Sequence, residues 1–396
     1  MMQGEINKSV DGISRELCSG CMMCGDICPK SAISFPLDKG FWYPDVNEKT
    51  CINCGLCSKR CPVINVNHGR ESESVDYYGV KSKDEDVRWH STSGGFFSEL
   101  AHFFLQHKGL VIGAIYDENN TIIHAIGDKE EDIKRLRQSK YAQSITQGIY
   151  KQVKFLLKQN KRVLFCGTPC QVEALYSYLG NGEKNLVTMD FFCLGICSPW
   201  IYRKYLELME TKFQSKVYRV WFKNKANGWR SISNQIDFEN GLTYLRSGGD
   251  DLFMRLFVYD KLSMRANCSN CKFRSMHHIS DFTVGDFWGI EHIRPDMDDN
   301  KGVSALCVNT KRARHIFEKI KDRMCYFPSD AESISQRNFS TLTPFRPNPK
   351  RLDFLDAVSK EGLLAAAYKY SSYTRFFELK RNLRLIKGKI KRLIRG

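Results

Sequence analysis

The feature that most constrains this chain is a doubled cysteine run. Cys18, Cys21, Cys24 and Cys28 precede Pro29, and Cys51, Cys54, Cys57 and Cys61 precede Pro62. Each cysteine recurs thirty-three residues later, so the run is an internal duplication as well as a motif. Both halves read C-x2-C-x2-C-x3-C-P, a spacing in which three thiolates wrap one iron–sulfur cubane while the fourth reaches across to the other. The spacing assigns Cys18, Cys21, Cys24 and Cys61 to one 4Fe-4S cluster, and Cys51, Cys54, Cys57 and Cys28 to a second. Residues 1–65 are therefore expected to fold as an α+β ferredoxin-like two-cluster unit suited to one-electron transfer.

Two other uses of cysteine fit less well. A disulfide framework belongs to short secreted chains, whereas this one has 396 residues and no apolar signal segment after Met1. Zinc sites pair two C-x2-C knuckles, and a third cysteine with a trailing Cys-Pro in each half is not their habit. Sixteen cysteines without a secretory signal imply a reducing compartment, which we read as the cytoplasm of a cell living with little oxygen. No stretch of eighteen apolar residues is present to span a membrane.

A formal charge of +16 suggests a nucleic-acid partner until its distribution is read. From Thr374 to Gly396 there are nine Lys or Arg and one acid, Glu378, so half of the excess sits in the tail. The same stretch carries Phe376, Leu379, Leu383, Ile386, Ile390 and Leu393 at alternating steps of three and four, one apolar face of a basic amphipathic helix. Such a helix suits the anionic inner surface of a membrane or a groove on an acidic partner, and it equally suits packing on its own domain with a solvated basic face. Nucleic acid is not an expected partner.

After the cysteine run, a polar linker is read over 66–76, and the pattern then changes to alternating strands and helices. Helices are expected over Phe96–His107, Ile145–Gln159, Gln171–Leu179 and Trp200–Met209. Strands are expected over Leu110–Tyr116, Thr121–Ile126, Arg162–Cys166, Leu186–Phe192, Val217–Phe222, Ile232–Phe238, Phe282–Val284 and Val303–Val308. This order argues for an α/β domain with a mixed sheet over 77–345, followed by a helical basic tail over 346–396.

Four of the remaining cysteines fall where such a domain places chemistry. Cys170 opens a helix after a buried strand, in Gly167-Thr168-Pro169-Cys170-Gln171, and Cys193 ends the next strand. Strand ends converge on the ligand crevice of an α/β sheet, and a helix N-terminus favours a thiolate. Cys268 and Cys271 form a lone C-x2-C, weak on its own.

Taken with Ser91-Thr92-Ser93-Gly94-Gly95, Ser139-Lys140-Tyr141, Asn227-Gly228-Trp229 and Gly285-Asp286-Phe287-Trp288-Gly289, these motifs resemble the coenzyme F420 hydrogenase/dehydrogenase beta-subunit family of iron–sulfur flavoproteins over roughly Tyr77 to Phe345. The resemblance implies that Cys170, Cys193, Cys268 and Cys271 hold a third 4Fe-4S cluster. A small zinc knuckle or free thiols is the competing use of Cys268 and Cys271. It further implies FAD against Ser93, Gly94 and Gly95, a helix start that offers backbone amides to a pyrophosphate, with Lys140 and Tyr141 close to the flavin. Ser-Gly-Gly is also an ordinary helix cap, Lys140 an ordinary helix-end charge, and Trp229 and Trp288 ordinary core residues. Cys166, Cys197, Cys307 and Cys325 match no ligand position and default to buried hydrophobes. His277 and His278 are read as loop residues with the capacity to donate protons. Gly180-Asn181-Gly182 lacks the third glycine of a nicotinamide fingerprint.

The resulting expectation is a flavin-dependent iron–sulfur reductase or dehydrogenase. A ferredoxin or other low-potential donor supplies its electrons and a small molecule receives them; the ferredoxin-fused bacterial members that this chain resembles often occur beside exopolysaccharide genes, which implies a sugar-related substrate of polysaccharide biosynthesis. The alternatives are an electron-transfer subunit without its own substrate site, docked on a catalytic partner, and a structural zinc-and-thiol scaffold.

Overall fold

The computed structural model describes residues 9–65, 74–180 and 183–384. Most of the 66–76 linker reading, Asn181 and Gly182, and the tail beyond 384 with Ile386, Ile390 and Leu393 lie outside the described residues.

The cysteine-rich region contains two short helices, α1 (Met23–Ile27) and α2 (Leu56–Lys59), each following the first residues of one cysteine run. Between them, β1 (Ile33–Ser34) pairs with β4 (Asp45–Val46), and β2 (Leu37–Asp38) pairs with β3 (Phe41–Trp42). The region does not stand apart. Asp26 on α1 accepts from the backbone N–H groups of Gly148, Tyr150 and Lys151 at 2.6, 3.0 and 3.3 Å. It thereby caps, from another region of the chain, the orphan amides at the start of a helix over Ile149–Lys158.

The body of the protein is an eight-stranded mixed sheet. Its strands are β5 (Asp76–Ser82), β6 (Leu110–Tyr116), β7 (Ile122–Gly127), β8 (Val163–Cys166), β9 (Leu186–Phe191), β13 (Phe282–Asp286), β14 (Ser304–Val308) and β15 (Met324–Ser329). Strands β10 (Val217–Asn224), β11 (Ser233–Phe238) and β12 (Thr243–Ser247) form a separate antiparallel sheet. The large sheet runs β15-β5-β14-β13-β9-β8-β6-β7. Its central four strands, β13, β9, β8 and β6, are mutually parallel, and the outer pairings are antiparallel. Strands β6 and β8 read as nearly unbroken apolar runs because both faces are covered, whereas β9 and β13 also bury Thr188, Asp190 and Thr283 in hydrogen bonds.

The cover follows from strand alternation. Val111, Leu164, Val187 and Phe282 face α4 (Phe96–Gln106), which contributes Phe96, Leu100, Ala101 and Phe104. Ile112, Val163, Phe165 and Leu186 face the opposite layer, formed by α6 (Ile149–Lys158) and α7 (Pro169–Leu179). Between α4 and α6 the chain forms α5 (Glu130–Leu136), after a short α3 (Glu85–Trp89) that precedes α4. Cys21 and Met23 belong to the α6–α7 core, so the cysteine-rich region completes that layer. Beyond it, α8 (Pro199–Phe213), the small sheet and helices Arg351–Glu361 and Leu363–Tyr370 enclose a further apolar core.

The expected alternation holds with shifted ends. The helix expected from Ile145 begins at Ile149, because Gly148 adopts φ +86° immediately before it. Asp76, read as the last linker residue, is instead the first residue of β5, inside the large sheet. Residues 375–384 are helical. Phe377 packs on the core, and Arg381 donates to the Asp250 carbonyl at 3.2 Å, whereas Phe376, Leu379 and Leu383 are 70%, 59% and 50% exposed.

Candidate functional site

Three cavities, each ringed by four cysteines, define the chemistry of the fold. Cys18, Cys21, Cys24 and Cys61 line the first; Cys28, Cys51, Cys54 and Cys57 line the second; and Cys170, Cys193, Cys268 and Cys271 line the third. They are similar in size, about 380, 360 and 470 Å³ with their open mouths. The first two groupings are those of the crossed pairing that the spacing dictates. The third draws on three separate stretches of chain, and topology explains how they meet. Cys170 lies in the first turn of α7, which Thr168 caps, with Pro169 at the first helical position. Cys193 follows the end of β9, which pairs in parallel with β8, the strand that feeds α7. The loop carrying Cys268 and Cys271 crosses beside both.

The electrostatics of the thiols suit a cationic occupant. Burial, followed by the neighbouring Cys61, pushes Cys21 up to about 12. Burial and Cys271 push Cys268 up to about 11 and hold Cys170 well above the ordinary thiol range. Thiols so placed ionise together only around a strongly positive group. Backbone amides are ready for the sulfurs: Ala32 N donates to Cys28 at 3.3 Å and Ile196 N to Cys268 at 3.4 Å. Among the described residues, no three His, Cys, Asp or Glu side chains close on one point as a single metal ion requires. A tetrahedral zinc would need sulfurs about 3.8 Å apart, from a Zn–S bond of about 2.3 Å. Thiols standing around a cavity suit a polynuclear cluster better.

Cys166, Cys197, Cys307 and Cys325 line none of these three cavities. His278 lies in a loop as expected, but its side chain is buried and pairs with Asp190 at 2.8 Å, whereas His277 is exposed. Glu173 on α7 is buried near this pair, and burial together with the Asp190 charge pushes it up to about 7.

The residues expected near a flavin gather in one neighbourhood. Ser139 N donates to Thr92 Oγ1 at 3.0 Å, stitching the 92–95 and 139–141 segments together. Within it, the polar groups are engaged by the fold itself. Ser93 Oγ donates to the Val303 carbonyl, and Gly94 N donates to Ser304 Oγ at 2.9 Å. A Cβ at Gly94 would lie 2.2 Å from the Val80 carbonyl oxygen, so close packing on β5 and β14 is reason enough for glycine there. Gly95, at φ +98°, starts α4. Lys140 Nζ donates to the carbonyls of Leu136, Arg137 and Gln138, and burial pulls it down to about 7. The Tyr141 ring meets Phe222 edge to face, and its carbonyl accepts from Cys197 N.

Two residues that the sequence did not single out complete the neighbourhood. Lys223 is ion-paired with Asp286, and Lys225 Nζ donates to the carbonyls of Arg88 and Ser93, each at 2.7 Å. Burial opposes both charges. It draws Lys225 down to about 7, whereas Asp286 and Tyr141 outweigh it at Lys223, which stays above the usual lysine value. Lys223 lies at φ +56° where the β10–β11 register shifts, and a bulge of that kind carries no sequence signature. Trp229 and Trp288 stack at 4.6 Å, and Trp229 Nε1 donates to Asp286. Phe192 lines the third cysteine cavity and packs in the same cluster as Trp229, so the two sites adjoin.

Comparison with known proteins matches this division. Residues 17–65 match the 4Fe-4S dicluster domain, and residues 160–332 match the family described as the C terminus of the coenzyme F420 hydrogenase/dehydrogenase beta subunit. The chain thus joins a segment similar to the 4Fe-4S dicluster domain to one similar to the C terminus of F420 hydrogenase/dehydrogenase beta subunits. All twelve cavity cysteines fall inside the two matched segments, whereas Ser93, Gly94, Gly95, Lys140 and Tyr141 fall outside them.

Among similar curated proteins, one of the subunits of the F(420)H(2) dehydrogenase of Methanosarcina mazei is 25% identical over 200 residues, 47% of this chain and 56% of that protein. An uncharacterized ferredoxin of Methanocaldococcus jannaschii is 38% identical over 50 residues, 13% of this chain and 65% of its own. The delta subunit of an NADH-dependent phenylglyoxylate dehydrogenase of Aromatoleum evansii is 31% identical over 62 residues, 16% of this chain and 62% of its own. The chain thus spans less than two thirds of each of these relatives. A chain in a structure of the F420-reducing [NiFe] hydrogenase complex of Methanosarcina barkeri aligns at 16% identity with a TM-score of 0.43, covering 73% of this chain and 92% of that one. That likeness is too loose to carry an argument. The described residues contain no helix long and apolar enough to cross a membrane.

Proposed function

We propose that this iron–sulfur electron-transfer protein holds three 4Fe-4S clusters and FAD, takes electrons from a ferredoxin-type donor and delivers them to a small-molecule substrate. The observation that carries the reading is the third cavity, where four thiols distant in sequence face one space beside the dicluster region. When bound, the clusters would supply one-electron carriers and the flavin the conversion to an electron pair.

The chain's own residues divide the remaining work. Cys170, Cys193, Cys268 and Cys271 hold the third cluster. Phe192 and Phe273 wall its cavity against water. Lys223, kept charged by Asp286, and Lys225, a donor to the Arg88 and Ser93 carbonyls, border the flavin neighbourhood, and the Trp229–Trp288 stack offers it an aromatic wall. Substituting Lys223→Ala with Lys225→Ala is expected to release FAD while iron is retained. Equal flavin content in the variant and the parent would remove this neighbourhood from the proposal.

The second reading, a subunit that docks on a catalytic partner, draws support from the relatives' names, two of which are dehydrogenase subunits. Co-purification at fixed stoichiometry would favour it, and substrate-dependent flavin oxidation by the isolated chain would count against it. Peripheral contact of the basic tail with an anionic membrane belongs to the first reading. It draws support from the exposed Phe376, Leu379 and Leu383.

A further inference from the structure

The three cysteine cavities form a series, and one arginine stands at a junction between two of them. Helix α1 carries Cys24 of the first cavity and ends against Cys28 of the second, so these two cavities adjoin. Ser19 lines both the first and third cavities. The first cavity therefore lies between the other two. The second, with Cys54, Ile52 and Leu56 exposed, is outermost.

Arg265 is built into the junction of the first and third cavities by both its backbone and its side chain. Its N–H donates to the Ile196 carbonyl and its carbonyl accepts from Cys268 N, at 3.0 and 3.1 Å, framing the third cavity. Its guanidinium, 1% exposed, turns the other way. It donates to the Cys18 carbonyl at 2.9 Å, to the Cys18 sulfur at 3.4 Å, and to Gln143 Oε1 at 3.0 Å, while lying 4.2 Å over the Tyr43 ring. Gly20 makes room for it, since a Cβ there would sit 2.7 Å from the guanidinium carbon.

We propose that Arg265 is a positioning residue for electron transfer, a fixed positive charge that raises the reduction potentials of the groups bound in the first and third cavities and leaves the second little affected. The proposal rests on the three-cluster reading. A buried cation that donates to a cluster sulfur stabilises the reduced, more negative form.

The test is a potentiometric titration monitored by electron paramagnetic resonance on the anaerobically purified full chain, after its iron and sulfide have been counted. In Arg265→Gln, two of three one-electron couples should shift to lower potential, the cluster held by Cys18 furthest, and Arg265→Lys should restore most of the shift. Unchanged couples, an equal shift of all three, or a shift that lysine does not reverse would overturn the proposal, because a merely structural role moves cluster content and stability instead. About eight irons per chain in the parent would defeat the third-cluster reading and still leave the Cys18-side shift measurable. If Arg265→Gln does not fold, the Cys51→Ala, Cys54→Ala protein provides the second readout. Its two remaining clusters should show coupled spins on reduction, and uncoupled signals would remove the junction.

Discussion

Asp26 shows how a single residue joins the two halves of this molecule. Its carboxylate accepts from three amides at the start of α6, groups that would otherwise be orphaned at the interface. Asp26→Ala is expected to cost about 1–3 kcal/mol, read as a lower denaturation midpoint and faster proteolysis near Gly148. Glu173 makes a prediction in pH. Its folded value, about 7, lies above its ordinary 4.5, so between those limits the folded state holds the extra proton. Stability should therefore fall as pH rises through that window and stay lower above it. Glu173→Gln should remove the fall, and denaturation midpoints at pH 5 and pH 8 that move in parallel for parent and variant would contradict this. The eight cysteines of the doubled run are legible in sequence because cluster geometry fixes their spacing. Arg265, Lys223 and Lys225 are not, because a lone basic residue looks the same at the surface as beneath a sulfur.

Among the elements, those with strong periodicity were readable and those defined by distant pairing were not. Strand β6 occupies the residues its apolar run predicts, Leu110–Tyr116. Strand β5 was hidden in the end of a polar stretch, since its pairing with β14 and β15 depends on segments more than two hundred residues away. The motif around Gly94 reads as a phosphate cradle in sequence, and the fold adds a second demand for glycine there, close packing against β5 and β14. Helix 375–384 carries an amphipathic pattern that sequence alone leaves with three uses, and the described part turns Phe376, Leu379 and Leu383 outward. The chain is expected to co-sediment with anionic vesicles and not with phosphatidylcholine vesicles. Substituting Phe376→Ser, Leu379→Ser and Leu383→Ser together should weaken that binding about tenfold or more. Equal sedimentation of parent and variant would assign the exposed face elsewhere.

At the scale of the whole molecule, a doubly covered mixed sheet brings its strand ends toward the dicluster region, and α1 packs into the same layer as α6 and α7. The result is one continuous apolar cluster that includes cysteines of all three cavities, with Phe273 buried among them. The duplication in the first sixty-five residues made two of those cavities legible at once. The third was expected only from the family resemblance, since nothing in the spacing of Cys170, Cys193 and the 268–271 pair says that they meet. That meeting is the central claim, and counting iron and acid-labile sulfide in the anaerobically purified chain tests it most directly. Three cubanes predict about twelve of each per chain, falling to about eight in Cys170→Ala. About eight in the parent, unchanged in the variant, would contradict it.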